Sequence, residues 1–544
     1  MSNDPNNLIN EPSSPFASRT YREIWVGNLF SNVGTLVQLV GASWLMTTLT
    51  SSEQMVALVQ ASTALPVMLV AVFSGAIADR FNRRSVLLVS QSFTMLASIG
   101  LALFVWEGWL DAWLLLAFTF LIGCGTALKT PAWQASVGDM VSRATLPSAI
   151  ALNAVGYNIA RSAGPALGGS VVAVAGPAAA FITNALSNVG MLAALVRWRG
   201  RQQSSQLPPE PFLSAITAGF RYVAMAPSIR AVLPRVTMFG FATAGVQALL
   251  PLIARDQMRG GALTYGLLLG AFGAGAVLGG LLIGRARSRF EPEALFRLSS
   301  LIFAAGTLCV ALSAYFALTL TALGFLGGAW VIVLSTMNVS VQLNSPNWVL
   351  ARVLALYQTA AFGGIALGSW TTGWLADQLG VTEALLISFA LQIVVVLLTL
   401  KFRLPPAEGV NLTPFPWNGA LDPPGVRPQT GPIVMTAEFR IAKDDTVVFL
   451  SLMAERKRIR YRNGARGWEL VRDISDPELW VERYRVLSWS EYLRHRERLL
   501  MHEAEVFKRI RELHKGTEPP LIRRFETPQA GVQSVVFGTP MDIS

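Results

Sequence analysis

Charge is scarce in this chain. Of its 544 residues only 14% are Asp, Glu, Lys or Arg, against about a quarter in a soluble globule. Hydrophobic residues make up 52%, and the mean hydropathy is +0.45. The scarcity is regional. Residues 23–402 form a near-continuous series of apolar runs, each about 20 residues long and so able to cross ~30 Å of hydrocarbon. From about residue 403 onward the composition is that of a soluble protein. Cysteine is nearly missing: Cys124 and Cys309 both sit inside apolar runs, which argues for neither a disulfide framework nor a metal site. The three histidines, His495, His502 and His514, all lie in the tail. No G-x-x-x-x-G-K-[ST] phosphate loop occurs, which argues against an ATP-driven pump. Residues 1–20 lack the charged start and apolar core of a cleaved signal and read as a disordered arm.

What remains is an all-α polytopic membrane domain over residues 21–402. Lipid offers backbone groups no hydrogen-bond partners, so runs of this length must be helical. Twelve spans are expected, at about 24–48, 55–77, 85–106, 112–134, 148–174, 178–198, 229–253, 263–285, 294–315, 317–342, 352–375 and 381–402. Counted by side, 18 Lys and Arg fall with the N-terminus, among them Lys129, Arg143 and the central segment, against two, Arg255 and Arg259, on the other side. Positive residues stay inside during insertion, so both termini are expected in the cytoplasm of a cell whose inner (plasma) membrane holds the spans. This placement assigns the +11 net charge to topology rather than to nucleic acid.

The polar segment 199–228 divides the spans into halves, about 21–198 and 229–402. Three pairs of segments recur in order: GAIADRFNRR (75–84) with GLLIGRARSR (280–289), TPAW (130–133) with SPNW (345–348), and GPALG (164–168) with GIALG (364–368). Six-helix halves of this kind place a binding site near the bilayer midplane between them.

Two motifs carry the functional reading. The joint between the second and third spans holds Gly75, Asp79, Arg80, Arg83 and Arg84. Three arginines would anchor it inside, Asp79 would favour the positive start of the third helix, and Gly75 would admit a close neighbour. In the fifth span Gly164, Pro165, Gly168 and Gly169 combine a missing backbone donor with small packing residues, which fits either a pivot or plain close packing. The pattern G-x-x-x-D-R-x-x-R-R resembles the loop signature of the major facilitator superfamily, over about residues 20–402. The resemblance implies that the joint is a gate latch whose Asp79 helps hold the cytoplasmic side closed. GPALGG resembles the Gly-Pro motif of antiporter members. The longer strings at 44–66 and 148–169 are similar to the bacterial subfamily of enterobactin-type siderophore exporters, which implies efflux, proton-coupled and without cofactor, of a small siderophore-like or drug-like molecule.

Candidates for the translocation path follow helical spacing. Asn28, Ser31, Asn32, Thr35 and Gln38 share one face of the first span. That face either lines a cavity or hydrogen-bonds neighbouring helices. Ser335, Asn338 and Gln342 form a weaker stripe on the tenth span. Arg161, with Asn158 one turn earlier, is the one charge placed well inside a span; it reads equally as an anion or substrate contact and as a polar clamp. No Asp or Glu falls at mid-span, so a conventional proton carrier is not visible; Glu23 and Asp79 are the nearest candidates.

Residues 403–430 read as a Pro-rich linker. Residues 431–528 alternate as βαββαβ, which suggests a ferredoxin-like α+β domain, with strands at 432–441, 465–474, 479–488 and 520–527, a helix at 445–462 capped by Asp445 and one long helix over 489–516. The basic run 456–462 reads as a solvated helix face or, failing that, as a face for anionic lipid or nucleic acid. The domain resembles dimeric α+β barrels related to antibiotic-biosynthesis monooxygenases, which implies homodimerisation through it. No nucleophile or acid/base set is present, so no enzyme is expected; a membrane-tethered enzyme or sensor with its activity in the tail is the alternative. Residues 529–544 read as disordered.

Overall fold

The computed structural model describes residues 14–80, 82–142, 145–198, 212–404, 412–413, 415, 426–516 and 518–526; for 72, 74–80, 212–215 and 347 it describes the backbone alone. The start of the N-terminal arm, Arg143, most of the linker, residues 529–544 and the side chains of Gly75, Asp79 and Arg80 therefore lie outside the described residues. The chain forms two compact units. One comprises 1–204, 226–344 and 350–407; the other comprises 205–225, 345–349 and 408–544.

Among the described residues the first unit is built of helices: α1 (Arg19–Leu49), α2 (Glu53–Arg80), α3 (Arg83–Trp106), α4 (Ala112–Met140), α5 (Leu146–Arg197), then α7 (Pro227–Leu252), α8 (Ala262–Arg289), α9 (Pro292–Leu312), α10 (Phe316–Leu343), α11 (Asn347–Leu379) and α12 (Val381–Lys401); α6 (Phe212–Met225), which precedes α7 in the chain, belongs to the second unit. Eleven helices among the described residues are long and apolar enough to cross a membrane, against twelve expected. The fifth and sixth expected spans run together as the 52-residue α5, broken by Gly176, whose backbone (φ 80°, ψ 172°) no helix can accommodate.

Glycines set how closely these helices pack. A Cβ at Gly164 would lie 2.9 Å from Leu36 Cβ, and one at Gly168 would lie 2.9 Å from Val37 Cα, so both bring α5 onto α1. Gly364 and Gly368 do the same for α11 on α7, against the carbonyl oxygens of Thr237 and Phe241. Such contacts replace the missing hydrophobic drive between helices in lipid. TPAW and SPNW are not equivalent in the fold: the first lies inside α4, the second at the α10–α11 joint.

The second unit is built on a four-stranded antiparallel sheet in the order β2-β3-β1-β4, from β1 (Ile433–Arg440), β2 (Arg466–Arg472), β3 (Leu479–Val486) and β4 (Ile522–Glu526). Alternate β1 residues, Ile433, Met435, Ala437 and Phe439, point into the core, as period two requires. With Phe449 and Met453 of α13 (Thr446–Asn463), Trp480 and Ile510 they make the unit's packed interior. The expected 489–516 helix is two: α14 (Trp489–Glu497) and α15 (Met501–Glu512). The break has a cause, because Leu499 O accepts from Phe415 N (2.8 Å) and Met501 N donates to Thr413 O (2.9 Å), pairing the linker with this stretch. Asp445 occupies the N-cap of α13 but makes no side-chain cap bond there. The basic run is only in part a solvated face: Lys457 and Arg458 are exposed. Arg456 and Arg460 turn inward onto the fully buried carboxylate of Glu482, Arg456 through Nη2 at 2.6 Å, and Arg462 pairs with Glu503. Within this unit α6 and the 345–349 joint pack on the tail domain. Arg221 Nε donates to Arg462 O (3.1 Å), the Arg498 guanidinium lies 4.7 Å over the Trp348 ring, and Trp348 meets Tyr222 edge-on.

Candidate functional site: a polar core and two seams between the halves

The α1 stripe divides. Ser31 and Gln38 are buried and knit their own half together: Ser31 Oγ donates to Asn188 Oδ1 (2.8 Å) and accepts from Gln91 Nε2 (3.2 Å), while Gln38 Oε1 accepts from Ser98 Oγ (2.8 Å) and from Asn184 Nδ2. Asn28 is buried beside them. Asn32 and Thr35 are half-buried. Thr35 returns its hydroxyl to Ser31 O, but Asn32 Oδ1 accepts from Lys129 Nζ at 2.9 Å.

Lys129 is the residue sequence reasoning misplaced. It belongs to no connection; α4 runs through Pro131 to Met140, and Lys129 is 6% exposed within it. A charge at the centre of a span costs about 2.5–3.5 kcal/mol. Hydrogen bonds to a charged group return about 1.5–3 kcal/mol each, and Lys129 donates to Asn32 and, at 3.4 Å, to Ser31 Oγ. Those oxygens are neutral. Among the described residues no carboxylate pairs with Lys129, whereas the comparably buried Arg235 has Glu293 at 3.6 Å.

Arg161 is half-buried on α5, with its guanidinium 4.2 Å over the Trp330 ring of α10 and 5.7 Å from Phe272 of α8. It thus reaches from the first half to the second. Asn158, one turn before it, is half-buried. On α10, Gln342 bonds Asn338 on its own helix; Asn338 is half-buried and Gln342 exposed. No described contact brings either to Arg161 or Lys129.

In the loop motif, Asp79 falls in the last turn of α2 rather than near the start of α3, which Asn82 caps by accepting from Arg84 N. A carboxylate there gains nothing from its own helix dipole. Arg83 pairs with Asp139 of α4 at 3.0 Å, and Arg84 donates to Leu195 O and Val196 O of α5. Both bind their own half.

Two antiparallel seams join the halves. Along α5–α8, a Cβ at Gly169 would lie 2.7 Å from Ala262 O, and one at Gly273 only 2.2 Å from Arg161 O. In the same seam a Cβ at Gly266 would lie 2.7 Å from the carbonyl oxygen of Pro165. Along α2–α11, Thr359 Oγ1 donates to Met68 O (3.1 Å), Ala64 packs with Ile365, and Gly373 meets Gln54 and Ala57. The second seam ends on Asp377, whose carboxylate accepts from Ser52 Oγ (2.8 Å), Glu53 N (2.5 Å) and Gln54 N (3.1 Å). A signal for Asp377 was present in the sequence: Gly373-x-x-x-Asp377 repeats the Gly75-x-x-x-Asp79 spacing at the end of another helix.

Comparison with known proteins agrees with this architecture. The family model described as transmembrane secretion effector matches residues 10–530. The enterobactin exporter EntS of Shigella dysenteriae is 26% identical over 343 residues, 60% of this chain and 78% of that protein. The multidrug efflux pump Tap of Mycobacterium tuberculosis is 23% identical over 401 residues, 72% and 94%. A bacterial homologue of the lysosomal transporter Spinster, solved inward-facing and unoccupied, superposes with a TM-score of 0.57 at 16% identity, covering 73% of this chain and all of that one. A D-xylose–proton symporter gives 0.57 at 15%, over 73% and 99%. These likenesses to solved structures carry the fold. The chain is a multi-pass membrane transporter, not an enzyme, and belongs to the transmembrane secretion effector family of major facilitator transporters.

Proposed function

We propose that the protein exports a small amphipathic molecule, siderophore-like or drug-like, from the cytoplasm by proton-driven alternating access. The single observation behind this reading is the α2–α11 seam, closed at one end by the Asp377 carboxylate on the first turn of α2. Continued along α2, the same antiparallel register would set residue 79 opposite about residue 350, the first turn of α11. An aspartate at the end of each helix would then cap the start of the other, one on each membrane face. Rocking the halves exchanges one cap for the other, which gives Asp79 the latch role its motif implies.

Twelve crossings fit this cycle. At 1.5 Å per residue α5 is about 78 Å long, more than twice the ~30 Å core, and Gly176 supplies the turn between two passes. With Lys129 inside a span, the charge split is 17 against two, which supports cytoplasmic termini in the inner membrane. The direction of transport and the cargo class rest on the relatives named as an enterobactin exporter and a multidrug efflux pump. The tail, ferredoxin-like in its strand order, is read as a dimerising module.

Everted vesicles with an imposed pH gradient, offered siderophores, drugs and sugars, test the reading. Accumulation of a siderophore or drug that collapses with the gradient is expected. Accumulation of none, or accumulation indifferent to the gradient, would defeat it. Asp79→Asn should slow turnover without lowering membrane levels.

A further inference from the structure

Lys129 is buried in a span with no counter-charge among the described residues. Its ammonium is held by Asn32 Oδ1 and Ser31 Oγ, and Ser31 is itself fixed by Asn188 and Gln91. The cation is therefore positioned, not merely tolerated. A second cation stands at the same depth along α1. Gly156 of α5 packs on the Trp25 ring and Gly164 on Val33 and Leu36, which brackets Arg161 beside the stretch that holds Lys129. Arg161 also lacks a carboxylate partner among the described residues and is flanked by the rings of Trp330 and Phe272. Arg161 and the rings of Trp330 and Phe272 lie where the two halves meet, and Lys129, held by Asn32, lies beside them along α1. The missing element is an anion with a flat apolar body.

We propose that Lys129, with Asn32, and Arg161, with Trp330, form the recognition site for the cargo, and that the cargo carries an aromatic or conjugated carboxylate. This deepens the export reading and rests on it. On binding, the carboxylate neutralises Lys129 and adds charge-assisted hydrogen bonds, which are shorter and stronger than neutral ones. The ring stacks against Trp330 and the guanidinium plane of Arg161. A cationic drug would meet two like charges and be rejected.

The test separates binding from transport. Full-length protein in detergent is titrated with salicylate, with its neutral partner salicylamide and with cationic ethidium, following the thermal midpoint. Salicylate should raise the midpoint and the other two should not. Lys129→Gln and Arg161→Gln should each weaken the salicylate effect about tenfold or more, and Lys129→Arg should restore most of it. Asn32→Ala, which keeps the charge but not its positioning, should give an intermediate loss and serves if Lys129→Gln fails to fold. A salicylate effect no greater than that of salicylamide, or one unchanged in the folded variants, would overturn the proposal. Because the readout is binding, loss of the site would leave the export reading standing; gradient-driven export of a neutral or cationic cargo would retain export and reject the anion site. Vesicles that export nothing, with salicylate binding intact, would do the reverse.

Discussion

Asp377, near the end of α11, accepts hydrogen bonds from the backbone N–H groups of both Glu53 and Gln54, the first two residues of α2. A carboxylate at a helix start satisfies orphan donors and meets the positive end of the dipole. Here donor and acceptor belong to different halves of the transporter, so a capping bond also closes a seam. Losing a cap costs about 0.5–2 kcal/mol, and 1.4 kcal/mol changes a two-state ratio about tenfold. Asp377→Ala should therefore shift the protein several-fold toward the state open at this end. Asp377→Asn, still an acceptor but without charge, should fall between. Maleimide reaction of a cysteine placed at Gln54, in protein with Cys124 and Cys309 replaced by serine, reads the shift; unchanged labelling would remove the seam's dependence on Asp377.

Gly273 tests the other seam. Its neighbour is the Arg161 carbonyl, which cannot swing aside as a side-chain tip can, and an added methyl group must push α5 and α8 apart. Overpacking of this kind costs about 1–3 kcal/mol. Gly273→Ala should slow transport while membrane levels hold, and should weaken a cross-link between cysteines at residues 166 and 270. A cross-link formed at the wild-type rate would contradict this packing.

The tail domain depends on Glu482. Burial alone would raise its pKa, but Arg456 and Arg460 outweigh that and hold it at about 2, against an ordinary 4.5. Glu482→Gln would leave two buried guanidiniums without a counter-charge, at a cost of about 3–5 kcal/mol. Limited proteolysis should cut residues 431–526 much faster in this variant while the membrane spans stay protected. Equal cutting rates would mean that the pair contributes little.

Acid should weaken the same domain in two stages. Burial, then the nearby Arg460 and Arg498 charges, push His495 well below its ordinary 6.5, so it is neutral when folded. A base depressed on folding contributes stability above its unfolded pKa and loses it as the pH falls below 6.5. Glu482, also depressed, contributes above 4.5 and loses its contribution between 4.5 and about 2. Protection factors of β1 and β3 in the full chain, which refer each exchange rate to the intrinsic rate at the same pH, should fall below pH 6.5. His495→Asn should flatten that first stage and leave the second.

Trp348 ties the α10–α11 joint to the tail domain through Arg498 and to α6 through Tyr222. Trp348→Ala should reduce hydrogen-exchange protection of α6 without altering that of the sheet. Unchanged protection of α6 would show that Trp348 contributes nothing to holding it.

Spans were legible because lipid demands long apolar helices, and the loop and Gly-Pro motifs stood out as local strings. Lys129 was misplaced because it falls near the end of the expected 112–134 span, while α4 continues to Met140 across Pro131. The Gly-x-x-x-Asp spacing marks Asp377, but nothing local reveals that it caps α2, more than 300 residues away. The inward turn of Arg456 and Arg460 was hidden for the same reason: an amphipathic basic helix reads as solvated until Glu482, on a later strand, supplies the partner. Ser31 and Gln38 share a face with Asn32, and period alone cannot separate a helix–helix bond from a path-lining group. The long helix over 489–516 was broken by pairing with the linker, which no propensity predicts.

The central claim is that two halves rock about α2 and α11, closing one end while the other opens. Double electron–electron resonance on reconstituted protein, with spin-label pairs across this seam at residues 54 and 373 and, at the opposite end, at residues 79 and 350, tests it most directly. The account predicts two distances at each end, long at one end when short at the other, with populations that shift under a changed pH or in Asp377→Ala. A single distance at both ends under every condition would contradict it.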